Sequence, residues 1–265
     1  MRMDANVFLE SVRTKRPLVH HLTNWVTILD CAQIVKSLGA SPVMAHAAEE
    51  VAEMTGLASA LVLNIGTLTG DFVESMLTAA QAANSRDIPV VLDVCGAGAT
   101  AFRDRMCRKL IDEARIDVIK GNASEIARIA GLDVRTRGVD AAHVATDLRE
   151  LAADLARKKS CTVVITGPVD IVADAGMTLA VHNGHAMMAE VVGTGCMAAS
   201  VIGAFVGASP QDIASAAAAA LSCYGIAGEI AARKSSGPMA FKHNLMDGMH
   251  ALNAQDIAAM QRVEP

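Results

Sequence analysis

Short runs of aliphatic residues alternate along this chain with longer segments whose apolar positions recur every three or four residues. The runs ALVLNIG (60–66), IPVVLDVC (88–95), DVIKGN (117–122) and TVVITG (162–167) predict parallel strands buried on both faces. Between them, segments 71–84, 100–113, 124–130 and 141–158 carry the spacing of amphipathic helices. Strand and helix in alternation predict an α/β fold, a doubly wound and mainly parallel central sheet flanked by helices, with right-handed crossovers.

After residue 167 the rhythm changes. DIVADAG and TLAVHNG, separated at Gly176 and Met177, predict a β-hairpin on the sheet edge. From Gly193 onward the pattern is helical, over 194–206, 210–233 and 238–253, with Gly and Pro as punctuation. No repeat, linker or low-complexity segment appears, so residues 1–265 are read as a single domain.

Composition sharpens this. Hydrophobic residues make up 52% of the chain but aromatics only 3%, so small side chains must let helices lie close to the sheet. The net charge of -5 and the absence of a Lys/Arg block argue against nucleic acid or an anionic membrane as partner, and for a small molecule. The N-terminal segment lacks a signal-peptide pattern. The Ala-rich stretch 213–232 is interrupted by Ser215, Ser222 and Glu229, which predicts a helix packed inside protein rather than in a membrane. Six cysteines without a CxxC pair or a His at metal-ligand spacing argue against zinc and disulfides, and for a reducing, cytoplasmic location.

In open parallel sheets ligands bind beyond the carboxyl ends of the strands. Three predicted exits carry polar groups there: Asp93, then Lys120, Asn122 and Glu125, then Thr166. In VVGTGCMAAS (191–200), Gly193, Thr194 and Gly195 open a long helix, where free N–H groups and the helix dipole would hold an anion. This suits phosphoryl transfer, with Asp93 and Glu125 holding Mg²⁺ directly or through water. Taken singly, such residues are often caps and turns; at successive exits they form a set. Cys196, at that helix start, is a candidate base or nucleophile. His20, His21, His46, His182 and His185 lack metal-ligand spacing and read as packing or surface residues. GAGATA and GTGCMA lack the acidic residue of a dinucleotide fold, and no GxxxxGK[ST] phosphate loop occurs.

The segments HHLTNWVT (20–27), SPVMAHAAEEV (41–51), LVLNIGTL (61–68), VVLDVCGAGAT (90–100), VIKGNASEI (118–126) and VVGTGCMAAS together resemble the hydroxyethylthiazole kinase family of thiamine salvage. The resemblance runs from about Pro17 to about Leu252. It implies a ribokinase-like fold and transfer of the ATP γ-phosphate to the alcohol of 4-methyl-5-(2-hydroxyethyl)thiazole, with Mg²⁺. By the same resemblance Asn24, Met44 and Gly193 would contact the thiazole alcohol, while Lys120, Thr166 and Asn122 would serve the nucleotide. Asp93 and Glu125 would lie near Mg²⁺ and phosphate, and Gly193, Thr194, Gly195 and Cys196 would form the anion hole. A homotrimer with sites at subunit contacts is implied too. Ribokinase relatives place an Asp where this chain has Cys196, so Cys196 is expected to act by position and as a weak base. Two departures stand out: Val94 and Cys95 where the family pattern has Pro and Val, and Lys120 where many members have Arg. The competing readings are a kinase for another small alcohol such as hydroxymethylpyrimidine, a cysteine-dependent acyl transferase or hydrolase, and a binding protein without turnover.

Overall fold

The computed structural model describes residues 3–132 and 147–265. In chain order the described strands are β1 (Leu18–Leu22), β2 (Ser41–Val43), β3 (Ala60–Asn64), β4 (Val90–Asp93), β5 (Val118–Asn122), β6 (Thr162–Thr166), β7 (Asp170–Ala173), β8 (Thr178–Val181) and β9 (Val263–Glu264). The described α-helices are α1 (Ala5–Lys15), α2 (Ile28–Leu38), α3 (Val51–Gly56), α4 (Gly70–Asn84), α5 (Ala101–Glu113), α6 (Ala123–Ile129), α7 (Leu148–Lys159), α8 (Thr194–Ala208), α9 (Ile213–Arg233), α10 (Pro238–Ala251) and α11 (Ala254–Met260). The strands form one sheet in the order β2-β1-β3-β4-β5-β6-β7-β8-β9. Pairing is parallel from β2 through β6 and antiparallel from β6 to β9.

Successive strand side chains point to opposite faces, and both faces are buried here. Val19, Val62, Val91, Val118 and Val164 face one core, which α1, α2, α8, α9 and α10 close. Leu61, Leu63, Leu92, Ile119 and Ile165 face the other, closed by α4, α5, α6 and α7. The scarcity of aromatics is met by close approach. At Gly203 of α8 a Cβ would stand 2.4 Å from Val62 Cγ2, nearer than any real contact, so glycine is what lets α8 lie on β3. The Ala-rich α9 is long and apolar enough to cross a membrane by length and composition, but 78% of its most apolar window is buried in the fold.

Several predicted boundaries move. The part of the predicted 141–158 helix before residue 147 lies outside the described residues. The hairpin turn is not two residues but 174–177, organised by the Asp174 carboxylate, which accepts from the N–H groups of Gly176 and Met177 at 2.7 and 2.8 Å. The hairpin is also not the sheet edge, because β9 pairs with β8. Instead of starting at Pro210, α9 begins at Ile213, since the Asp212 side chain accepts from Ser215 N and caps it. Asn253 ends the predicted 238–253 helix by capping α11, as side-chain acceptors at helix starts do.

Candidate functional site

The register of three neighbouring strands builds the core of the site. Asn64 of β3 pairs with Asp93 of β4, and Asp93 pairs with Lys120 of β5. These residues therefore form one row across the carboxyl ends of the strands, on the α8 face, in line with Val62, Val91 and Val118 two positions earlier. All three are buried, and a buried polar row is stable only if its members satisfy one another. They do: Asn64 Nδ2 donates to Asp93 Oδ2 at 2.8 Å, and Lys120 Nζ lies 3.4 and 3.3 Å from the two Asp93 oxygens.

The start of α8 closes over this row. Gly193, at φ 97°, occupies the left-handed region, and a Cβ there would meet Thr27 Cγ2 at 2.6 Å, so both backbone and space require glycine. No side chain caps α8, which leaves its first-turn N–H groups at the positive end of the helix dipole. Lys120 Nζ donates to Gly195 O at 3.0 Å, placing the ammonium beside that turn. The Thr194 hydroxyl turns back to Met188 O and Val191 O, and Tyr224 OH donates to Thr194 O at 3.1 Å. Thr194 thus offers the crevice its backbone and not its hydroxyl.

Cys196 sits where these parts meet. Its Sγ accepts from Asn24 Nδ2 at 3.2 Å and Asn64 Nδ2 at 3.3 Å. Asn24 Nδ2 also donates to Asn64 Oδ1 at 3.0 Å, while Asn24 Oδ1 accepts from the N–H and hydroxyl of Thr27, both at 3.1 Å. The two amides are thereby fixed in orientation, with N–H groups aimed at the sulfur.

Opposite α8, Asn122 and Glu125 form a capping box at α6. Glu125 Oε2 accepts from Asn122 N and Oε1 from Gly96 N, both at 2.7 Å, so this carboxylate ties the β4–α5 turn to the β5–α6 turn. Arg103 pins the adjoining backbone, donating to the carbonyls of Ile65, Cys95 and Gly66 at 2.8, 3.1 and 2.7 Å.

The electrostatics follow from burial and these contacts. A hydrogen bond from the Cys95 thiol, outweighing burial and helped by Lys120 and Asn24, holds Cys196 down at about 5. The same bond to Cys196, together with burial, pushes the Cys95 thiol well above the ordinary range. Burial pushes Asp93 upward while Lys120 pulls it back. Burial would lower Lys120, but the charges of Asp93, Glu125 and Cys196 prevail and keep it protonated. These contacts thus bias Cys196 toward the thiolate, whereas an ordinary thiol is mostly protonated at neutral pH. Iodoacetamide should accordingly label Cys196 at a rate that is level above about pH 7 and halves near pH 5. Peptide mapping across a pH series checks this; a rate still climbing at about pH 8 contradicts it.

Of the residues singled out from the sequence, Asn24, Asp93, Lys120, Gly195 and Cys196 come together in one bonded network, with Gly193 at the head of α8. Glu125 and Asn122 adjoin it through the Gly96 turn. Thr166 stands at the end of β6 in register with Asn122, its hydroxyl 3.4 Å from Gly121 O. Met44 directly follows β2 and is partly exposed. Asn64, Thr27 and Arg103 were given no role from the sequence, and Cys95 stood out only as a departure from the family pattern. Asn64 had a readable signal, a lone amide ending the apolar run ALVLN; the roles of the other three depend on chain segments distant in sequence. His20 and His21 are buried, and His46 packs edge-on to Trp25, with ring centroids 4.8 Å apart.

Among the described residues no group of three or more His, Cys, Asp and Glu side chains could hold a metal ion. Asp93 and Glu125 fit only an ion that keeps most of its shell as water and phosphate oxygen, as Mg²⁺ does.

Comparison with known proteins supplies the context. The model of the hydroxyethylthiazole kinase family matches residues 9–255. The chain is 52% identical over 256 residues to the hydroxyethylthiazole kinase of Methanosarcina mazei, covering 97% of this chain and 98% of that protein. It is 48% identical over 249 residues to that of Moorella thermoacetica, covering 94% and 93%. Among solved structures, the hydroxyethylthiazole kinase protein from Pyrococcus horikoshii OT3 superposes with a TM-score of 0.90 at 38% identity, over 98% of both chains. A ribokinase-like superfamily protein from Enterococcus faecalis V583, at 15% identity and a TM-score of 0.63 over 92% and 93%, shares the fold.

Proposed function

The chain belongs to the hydroxyethylthiazole kinase family, and from that premise we infer that it transfers the γ-phosphoryl group of ATP to the primary alcohol of 4-methyl-5-(2-hydroxyethyl)thiazole, as in thiamine salvage. The observation that carries the site assignment is that Cys196 Sγ lies in the uncapped first turn of α8 and is bonded through Asn64 to Asp93, which Lys120 also contacts.

In this reading the first-turn N–H groups of α8 and the Lys120 ammonium receive the charge that spreads over the transferring phosphoryl. Asn24 and Cys196 face the alcohol, with Met44 and Gly193 beside it, and Lys120, Asn122 and Thr166 lie on the nucleotide side. Asp93 and Glu125 would hold Mg²⁺ largely through water, the ion neutralising phosphate charge. As the alcohol oxygen bonds to phosphorus and the bond to ADP breaks, the hydroxyl proton passes to Cys196. A loose transition state asks little of that base, so its contribution falls at the low end of general-base effects. Cys196→Ala should therefore lower kcat about a hundredfold, and Cys196→Asp should recover most of the loss. Two variants equally inactive, with substrate binding intact, would instead assign Cys196 a covalent role.

The overall reading is tested by incubating the protein with ATP, Mg²⁺ and hydroxyethylthiazole, with hydroxymethylpyrimidine and ribose in parallel. Selective thiazole phosphate with matching ADP supports it. Phosphorylation of the pyrimidine alone transfers the reading to the other alcohol, and acyl turnover without ATP overturns both.

Trp25, Val26 and Leu29 are 49%, 67% and 76% exposed and follow Asn24 directly in the chain. This apolar patch supports a contact between copies beside the site, as a trimer with shared sites requires. Light scattering should return three times the chain mass, and Leu29→Glu should lower it to the chain mass.

A further inference from the structure

The start of α2 has no local means of holding its position. Thr27 stands at its N-cap but makes no side-chain capping bond to the helix; its N–H and hydroxyl both go to Asn24 Oδ1, at 3.1 Å. Two parts of the site nonetheless depend on where this turn lies. Asn24, oriented by Thr27, aims its Nδ2 at Cys196 Sγ, 3.2 Å away. Gly193, at the head of α8, approaches the same turn so closely that a Cβ there would stand 2.6 Å from Thr27 Cγ2 and 3.8 Å from Asp30 Oδ2. A helix start without a local lock needs a tertiary one.

Asp30, in the first turn of α2, has such a partner. Its Oδ2 accepts from Lys242 Nζ of α10 at 2.7 Å, and the side chains of Asp30 and Lys242 are only 16% and 22% exposed. The carboxylate also lies at the positive end of the α2 dipole. A pair so far removed from water adds little net stability, because desolvation of the two charges offsets their attraction. Its effect is on placement: it ties the start of α2 to a helix 212 positions away in the chain. Among the described residues neither side chain is hydrogen-bonded to Asn24, Cys196 or Gly193, so any influence on the crevice passes through Thr27 and the α2 turn.

We propose, resting on the function inferred above, that Asp30 and Lys242 are positioning residues for phosphoryl transfer, their ion pair setting the start of α2 and through it the Asn24 amide and Gly193 against the alcohol. When the pair is broken, α2 loses its tie to α10. Thr27 then no longer fixes Asn24 Oδ1, the Asn24 N–H loses its aim at Cys196, and Gly193 loses the surface on which it is seated. Each of these groups lies on the alcohol side, whereas Lys120, Asn122 and Thr166, assigned to the nucleotide, belong to β5 and β6. The loss therefore falls on the alcohol and not on ATP.

The test compares the full-length protein with Lys242→Met, which removes the charge and keeps most of the side chain, with Asp30→Asn, and with Lys242→Arg. With hydroxyethylthiazole as acceptor, kcat/KM for the alcohol should fall about a hundredfold in the first two, while KM for ATP stays at the wild-type value. Lys242→Arg, which keeps the ion pair, should retain most of the activity. The double variant of Lys242→Met and Asp30→Asn should be no worse than either single one, as for two residues that act as a unit. A second arm needs no substrate: labelling of Cys196 by iodoacetamide at about pH 5 should slow about two- to tenfold in Lys242→Met, the worth of one hydrogen bond to the sulfur, and not in Lys242→Arg. Equal losses toward ATP and alcohol, additive effects in the double variant, or unchanged Cys196 labelling in Lys242→Met would each overturn the proposal. A wild type that phosphorylates no alcohol would overturn the function instead, and the labelling would then decide the role of the pair by itself.

Discussion

Asp93→Asn should lower kcat by about 10³ with a smaller change in the KM for the alcohol. The substitution keeps the size of the side chain and removes its charge, and three consequences converge. Lys120 loses the carboxylate that holds its ammonium at 3.3 Å, beside the first turn of α8. Asn64 Nδ2, which donates to both Asp93 Oδ2 and Cys196 Sγ, now faces an amide whose own N–H₂ competes for the same space, so the orientation of the donors on Cys196 is lost. The buried charge proposed to serve Mg²⁺ also disappears. Each group acts where charge develops in the transition state rather than in substrate binding, which is why kcat carries the loss. Steady-state kinetics with both substrates varied decides it. A kcat within about tenfold of wild type would remove Asp93 from the machinery and leave it as a structural partner of Lys120.

How much of this was legible in the sequence depends on which force wrote each part. Strands β3 to β6 could be read because burial on both faces leaves nearly continuous aliphatic runs. Strand β1 could not: LVHHL places two histidines mid-strand, and the burial of His20 rests on partners far along the chain, Ala45 O and Thr55 Oγ1. At three residues β2 is too short for a periodic signal, and α2 follows a turn whose helix start has no side-chain cap. The hairpin was visible but its turn was not, since the Asp174 carboxylate lengthens it to four residues. At the site, the exits bearing Asp93, Lys120 and Glu125 were found because a charged residue closing an apolar run is unusual. Their grouping was not readable. That Asn64, Asp93 and Lys120 share one row depends on interstrand register, which no local pattern states. The approach of the Asn24 and Asn64 amides to Cys196 likewise exists only once α8 is packed on the sheet.

Lys120→Met should be costly for stability, by up to about 3–5 kcal/mol at alkaline pH where Asp93 must ionise, and should also depress phosphoryl transfer. Methionine fills much the same space, but it leaves the buried Asp93 carboxylate without its cation and Gly195 O without its donor. The pH dependence gives the signature. Burial raises Asp93 from 3.8 to about 8 even with Lys120 pulling the other way, and without Lys120 it must rise further. A carboxyl whose folded pKa lies above its unfolded one binds more protons in the folded state, so stability falls as pH rises from the unfolded value toward the folded one. Wild type and Lys120→Met should accordingly lose this stability in parallel up to about pH 8, so that the gap in Tm stays level below about pH 8 and widens above it, where only the variant still holds Asp93 protonated. Thermal unfolding over that range reads it directly. At its most stable pH the variant should still turn over slowly, because the phosphoryl group then meets the N–H groups of α8 without the ammonium beside them. That separates the electrostatic role of Lys120 in transfer from its role in holding the fold together, since only the second is relieved by protonating Asp93.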